Sequence, residues 1–222
     1  MFFKLCGLRR QADLDAAWHM GFGLCGFILA EKSPRFIAPE AAGRLDSHTL
    51  VRVGVFVHNR VGDMVEAARV ARLDLLQLHG EPDISSLKEL SSRLGSERLI
   101  RVFWPQRSAS PDVLQEEMDQ AAPCCGHILV DAGTSSGGHG TCLDVQALTR
   151  LHFPRPWILA GGLDAASLAR VAELPEQVRP AGLDFNSRLE SAPGCKEADR
   201  MQAVCDRAQV LGLGPDPFAE SS

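Results

Sequence analysis

Residues 51–80, VRVGVFVHNRVGDMVEAARVARLDLLQLHG, decide the fold. Val51 to Val57 is an apolar, β-branched run of strand length. Val61, Met64, Val65 and Ala68 then recur at the spacing of a helix with one apolar face. Leu73 to Leu78 is a second apolar run, ending in Gln77-Leu78-His79-Gly80. Two strands joined by a helix long enough to lie back across both form a parallel βα unit.

The same unit repeats in both directions. Further strands are predicted near Phe2 to Leu5, Leu24 to Ile28, Leu99 to Phe103, His127 to Asp131, Trp157 to Ala160 and Ala181 to Phe185. Between them lie helical patterns such as Ile84, Leu87, Leu90, Leu94, and finally Met201, Val204, Cys205, Ala208, Leu211. With eight such units the sheet can close on itself and leave no edge exposed, which predicts an α/β fold, a single (β/α)8 TIM barrel, over residues 1–211. An open, doubly wound sheet is the competing arrangement. The Gly-Leu-Gly-Pro-Asp-Pro stretch and polar end after Leu211 read as a flexible tail, 212–222.

A chain of 222 residues suits one large core. A formal charge of -5 argues against a nucleic-acid partner, because phosphate-backbone binding needs concentrated Lys and Arg. The start Met1-Phe2-Phe3-Lys4-Leu5 is unlike a secretory signal, and no apolar run approaches membrane-spanning length. The seven cysteines are scattered without zinc-site spacing, so a reduced cytoplasm is the expected location, with most cysteines packed as small apolar residues.

In such a barrel the chemistry lies where strands end, at their carboxyl termini. Cys6, in Lys4-Leu5-Cys6-Gly7, ends the first strand and can accept a proton if nearby positive charge stabilises its thiolate; Lys4, on the same face, is a source of that charge. Asp131 ends the sixth strand after three apolar residues, Ile128 to Val130, where partial burial would raise its pKa and let it donate a proton near neutrality. Gly137-Gly138-His139-Gly140, Ala160-Gly161-Gly162-Leu163 and Asn186-Ser187 offer backbone N–H groups to a phosphate, aided by a helix amino terminus. Arg35, in Lys32-Ser33-Pro34-Arg35, can fork a carboxylate. Each residue has a plainer reading alone: a packed cysteine, a capping aspartate, turn glycines, a solvated arginine. Their joint occurrence at successive strand ends favours the chemical one, and a base facing an acid would move protons without metal or redox cofactor.

In this order the motifs resemble the phosphoribosylanthranilate isomerase family over nearly the whole barrel. Lys4-Leu5-Cys6-Gly7-Leu8, Ser33-Pro34-Arg35, Val53-Gly54-Val55-Phe56-Val57, Gln77-Leu78-His79-Gly80, Asp131, Gly137-Gly138 with Gly140 and Asp144, Leu159-Ala160-Gly161-Gly162-Leu163, Asp184-Phe185-Asn186-Ser187 and Glu190-Ser191-Ala192-Pro193-Gly194 carry the likeness. The resemblance implies an Amadori rearrangement in tryptophan biosynthesis with a small phosphorylated aminosugar as substrate. Asp131 would then be the acid, Cys6 the base and Arg35 the ligand of the anthranilate carboxylate. Gly138, Gly161, Gly162, Asn186 and Ser187, with Asp184, would form the phosphate side. No cofactor is implied, and either a monomer or a homodimer is compatible. Arg9, His139, Leu143, Val145 and Arg188 depart from the family pattern, which bears on loop packing and affinity more than on reaction class. A histidine-pathway isomerase would be expected to carry aspartate in place of Cys6 and more alike halves; an idle phosphate-binding barrel would have no use for both Cys6 and Asp131.

Overall fold

The computed structural model describes residues 1–57, 60–133 and 148–214. Eight parallel strands close into a ring in sequence order: β1 (Phe2–Leu5), β2 (Leu24–Ile28), β3 (Val51–Phe56), β4 (Leu75–Leu78), β5 (Leu99–Phe103), β6 (His127–Asp131), β7 (Trp157–Ala160) and β8 (Gly182–Phe185). The last strand pairs back on the first, Lys4 against Asp184 and Leu5 against Phe185, which rules out the open sheet. Around the ring lie α1 (Gln11–His19), α2 (Pro39–Arg44), α3 (Val61–Val70), α4 (Ile84–Leu94), α5 (Pro111–Ala121), α6 (Leu168–Ala172) and α7 (Ala198–Val210).

The strands match the expected ones to within one or two residues. Leu73, expected in β4, instead closes the end of α3: Arg72 adopts a φ of 53° and the Leu73 N–H donates to the Ala68 carbonyl at 2.8 Å. Period-two alternation sorts each strand into two cores. Leu24, Val53, Ile100, Val102, Leu129 and Ile158 fill the barrel interior. Phe3, Leu5, Phe27, Leu76, Leu99, Phe103, Ile128, Leu159, Leu183 and Phe185 point outward and meet helix residues such as Met64, Ala68, Leu87, Leu90, Met201 and Val204. Ile84, counted on the buried face of α4, is 42% exposed, because it opens the helix beyond the reach of the sheet.

Alternation places Lys4 and Cys6 inside the barrel, together with Gln77 and His79 on the line of β4 and Asp184 on β8. The lower interior is apolar and the upper end polar, which directs chemistry to one mouth. Past β8 the chain forms a hairpin that periodicity did not suggest, β9 (Glu190–Ala192) against β10 (Cys195–Lys196). It turns at Pro193-Gly194, where Gly194 has a φ of 79°. No helix among the described residues is long and apolar enough to cross a membrane. The tail expected after Leu211 lies outside the described residues from 215 onward.

Candidate active site

The strand ends surround a cavity of about 400 Å³ lined by Cys6, Arg35, Gln77, His79, Trp104, Arg107, Asp131, Gly161, Gly162, Asp184, Asn186 and Ser187, among others. That volume suits a small ligand. The site residues expected from sequence thus meet in one place, except Gly138, which lies outside the described residues with its loop.

Cys6 is 4% exposed. Room for its side chain comes from Gly26 on β2: a Cβ there would stand 2.9 Å from Cys6 Sγ and 3.2 Å from Lys4 Nζ. Lys4 Nζ, wholly buried, donates to Asp184 Oδ2 at 2.8 Å. Burial pushes the Cys6 thiol above its ordinary pKa, while Lys4 and Lys196 pull it down. Burial alone would lower Lys4, yet Asp184 and Cys6 together hold it above its usual value and keep it cationic. Asp184, expected on the phosphate side, therefore sits in an ion pair on the cavity floor, raised by burial against the pull of Lys4.

Arg35 lines the cavity, but its fork is not open as the sequence suggested. Nε contacts Glu190 Oε1 and Oε2 at 3.1 and 2.9 Å, and Nη2 contacts Oε2 at 2.7 Å. The hairpin carries Glu190 into the interior, where a buried carboxylate requires cations around it. Lys196 supplies a second one, with Nζ 2.8 Å from Glu190 Oε1 and 3.0 Å from Asn186 Oδ1. Burial works to raise Glu190, but Arg35 and Lys196 outweigh it and hold the carboxyl below its ordinary value. Gly7, with a φ of 76°, lets these groups converge: a Cβ there would lie 2.8 Å from both Arg35 Cδ and Asn186 Oδ1.

Asp131 closes the other side. Its Oδ1 accepts the Gly133 N–H at 3.0 Å. Burial raises its pKa, and the Gly133 N–H, Trp104 and Arg107 only partly offset this. Gly161, with a φ of 111°, packs so closely on the loop after β6 that a Cβ would stand 2.2 Å from the Gly133 nitrogen. Among the described residues of this rim, α6 begins only at Leu168, and a single 3-10 turn, Ser187–Leu189, follows β8. Left-handed glycine backbone at Gly161 and Gly162 shapes the rim instead.

Sequence reasoning missed several contributors. Gln77 Oε1, His79 Nδ1 and Asp184 Oδ1 are buried with no hydrogen-bond partner among the described residues, and all three residues line the cavity. Burial lowers His79 to about 4, so its ring is neutral near pH 7. Trp104 meets the His79 ring edge-on, 5.1 Å between centroids, and Arg107 lies over Trp104 at 4.5 Å. The sequence marks Gln77-Leu78-His79-Gly80 as a motif but assigns no task to either polar side chain.

The chain matches the family model described as N-(5'phosphoribosyl)anthranilate (PRA) isomerase over residues 3–207. It is 41% identical over 204 residues to the N-(5'-phosphoribosyl)anthranilate isomerase of Desulfovibrio desulfuricans, covering 92% of this chain and 93% of that protein. The phosphoribosyl anthranilate isomerase of Thermus thermophilus superposes with a TM-score of 0.76 at 31% identity, over 95% of this chain and all of that one. A phosphoribosyl anthranilate isomerase solved with reduced 1-(o-carboxyphenylamino)-1-deoxyribulose 5-phosphate shares the fold, with a TM-score of 0.75 at 24% identity over 95% of this chain and 99% of that one. With its closed barrel and its matched length, the chain belongs to the N-(5'-phosphoribosyl)anthranilate isomerase family and is an aldose–ketose isomerase of tryptophan biosynthesis.

Proposed function

We propose that Asp131 is the general acid and Cys6 the general base that convert N-(5-phosphoribosyl)anthranilate to 1-(2-carboxyphenylamino)-1-deoxyribulose 5-phosphate. Asp131 gives its proton to the furanose ring oxygen as the carbon–oxygen bond breaks, leaving an iminium. The Cys6 thiolate takes the proton from the adjacent sugar carbon, whose electrons neutralise the iminium to an enolamine; tautomerisation gives the ketone. The iminium acidifies the neighbouring C–H bond, so a modest base suffices.

The observation that carries this reading is the contrast within one cavity. Burial favours the protonated form of Asp131, while two lysines flank the thiol of Cys6. The unpartnered atoms of Gln77, His79 and Asp184 suit sugar hydroxyls between them. Gly161, Gly162, Asn186 and Ser187, with Gly138, would take the phosphate through the loops. The guanidinium edge of Arg35 not engaged by Glu190 would take the anthranilate carboxylate. The reading is of a monomer or a homodimer in the cytoplasm, with the barrel as one domain over 1–211 and 212–222 as a tail. No metal, cofactor or nucleic acid enters it.

Expression of the chain should restore growth to a tryptophan auxotroph lacking this isomerase and not to a histidine auxotroph lacking the analogous one. Rescue of the histidine strain alone would overturn the substrate assignment. Arg35→Met should raise KM about ten-fold or more with a smaller change in kcat, because a carboxylate contact acts on ground and transition states alike. Steady-state kinetics on freshly made substrate reads this directly, and an unchanged KM removes Arg35 from the binding site.

A further inference from the structure

We propose that Lys196 and Glu190, on the hairpin after β8, are positioning residues that set the proton affinity of Cys6 in opposite directions, Lys196 lowering it and Glu190 raising it while also anchoring Arg35. The inference rests on Cys6 being the base.

Lys196 Nζ is wholly buried and makes three hydrogen bonds: to Glu190 Oε1 at 2.8 Å, Asn186 Oδ1 at 3.0 Å and the Asn186 carbonyl at 3.3 Å. Three acceptors match the three N–H groups of an ammonium; burial lowers the Lys196 pKa, and Glu190 and Cys6 oppose that. The three bonds also leave no donor for a substrate. Lys196 can therefore influence the reaction only through its charge and through the groups it holds.

Those groups stand beside the base. The Cys6 N–H donates to the carbonyl of Phe185 at 2.8 Å, the residue before Asn186, and Asn186 Oδ1 packs so closely on Gly7 that a Cβ there would stand 2.8 Å from it. The charges facing Cys6 are Lys4 from its own strand, Asp184 from β8 and Lys196 from β10; Arg35, His79, Arg107 and Asp131 line the same cavity. His79 is neutral near pH 7. The two ion-paired groups nearest Cys6, Lys4–Asp184 and Arg35–Glu190–Lys196, hold three cations against two carboxylates. One positive charge is left over in a buried place, and it offsets part of the cost of forming a thiolate at Cys6. Removing Lys196 abolishes that excess, whereas neutralising Glu190 doubles it.

The test uses the full chain without substrate. Iodoacetamide alkylation of Cys6, followed by mass spectrometry of the peptide that contains it, gives the midpoint of the thiol from the pH dependence of the rate. Lys196→Met should raise that midpoint by about one unit or more, Glu190→Gln should lower it, and Lys196→Arg should restore it toward wild type. If Lys196→Met does not fold, Glu190→Gln alone gives the sign: a fall supports the proposal, and no change or a rise overturns it. Midpoints that stay together in all folded variants overturn it too. Full turnover by Cys6→Ser would instead remove Cys6 as the base while leaving any alkylation shift in place, so the two failures are distinguishable.

Discussion

Cys6→Ser should fold normally and lose about 10³-fold or more in kcat/KM, the upper part of the range of about 10² to 10⁴ associated with a general base. Serine oxygen is smaller than sulfur, so the slot beside Gly26 still receives it and the packing of β1 is kept. Chemistry changes far more than shape. A serine hydroxyl is too weakly acidic to yield an alkoxide near neutrality, whereas a thiol of ordinary pKa about 8.5 yields some thiolate, and Lys4 and Lys196 partly offset the burial that raises it here. Circular dichroism establishes the fold and turnover of freshly prepared substrate establishes the loss. A correctly folded Cys6→Ser protein with near wild-type turnover would sink the assignment of the base.

Asp131→Asn should be comparably damaging, because an amide has no proton to give the leaving ring oxygen, although its side-chain oxygen can still accept the Gly133 N–H. Its pH dependence makes the prediction sharper. Asp131 and Cys6 are both raised above their ordinary values by burial, and the thiol starts from the higher one. The productive form, thiolate with protonated carboxyl, is then the minor member of the singly protonated enzyme. Below the lower midpoint both groups hold protons and the base is lost; above the higher, both are ionised and the acid is lost, so wild-type kcat/KM is bell-shaped. In Asp131→Asn only the thiolate is required. The residual rate should rise with pH and level off at the Cys6 midpoint, with no alkaline decline. A surviving alkaline limb would mean that another group is the acid. The double variant should fall well short of the product of the two losses, as groups acting in one sequence do.

The parts of this molecule that were legible in the sequence are those that local pattern encodes. Period-two runs gave the strands, and the rule that barrels keep their chemistry at strand ends picked out Cys6, Asp131 and the glycine loops before any contact was known. Arg35 was legible as a cavity residue but not as a partner of Glu190, 155 positions away, because spacing carries no information about an ion pair between distant loops. The hairpin that delivers Glu190 and Lys196 is too short for periodicity to register. Its one local signal was Pro193-Gly194, a turn dipeptide that could have been followed to its two flanks. Gln77 and His79 escaped for a different reason. A polar side chain inside a barrel reads from sequence as a strand residue of unknown facing, and only the alternation set by neighbouring strands shows that both point inward.

The closure of the ring through Lys4 and Asp184 ties competence to completeness. Cys6 follows the first strand of the barrel, while Asp184, Glu190 and Lys196 are supplied only by the eighth strand and the hairpin beyond it. A barrel truncated before residue 184 would hold this thiol without the buried carboxylates and the second lysine that surround it in the closed ring. The electrostatic surroundings of the Cys6 thiol are therefore complete only where the first and last strands have met.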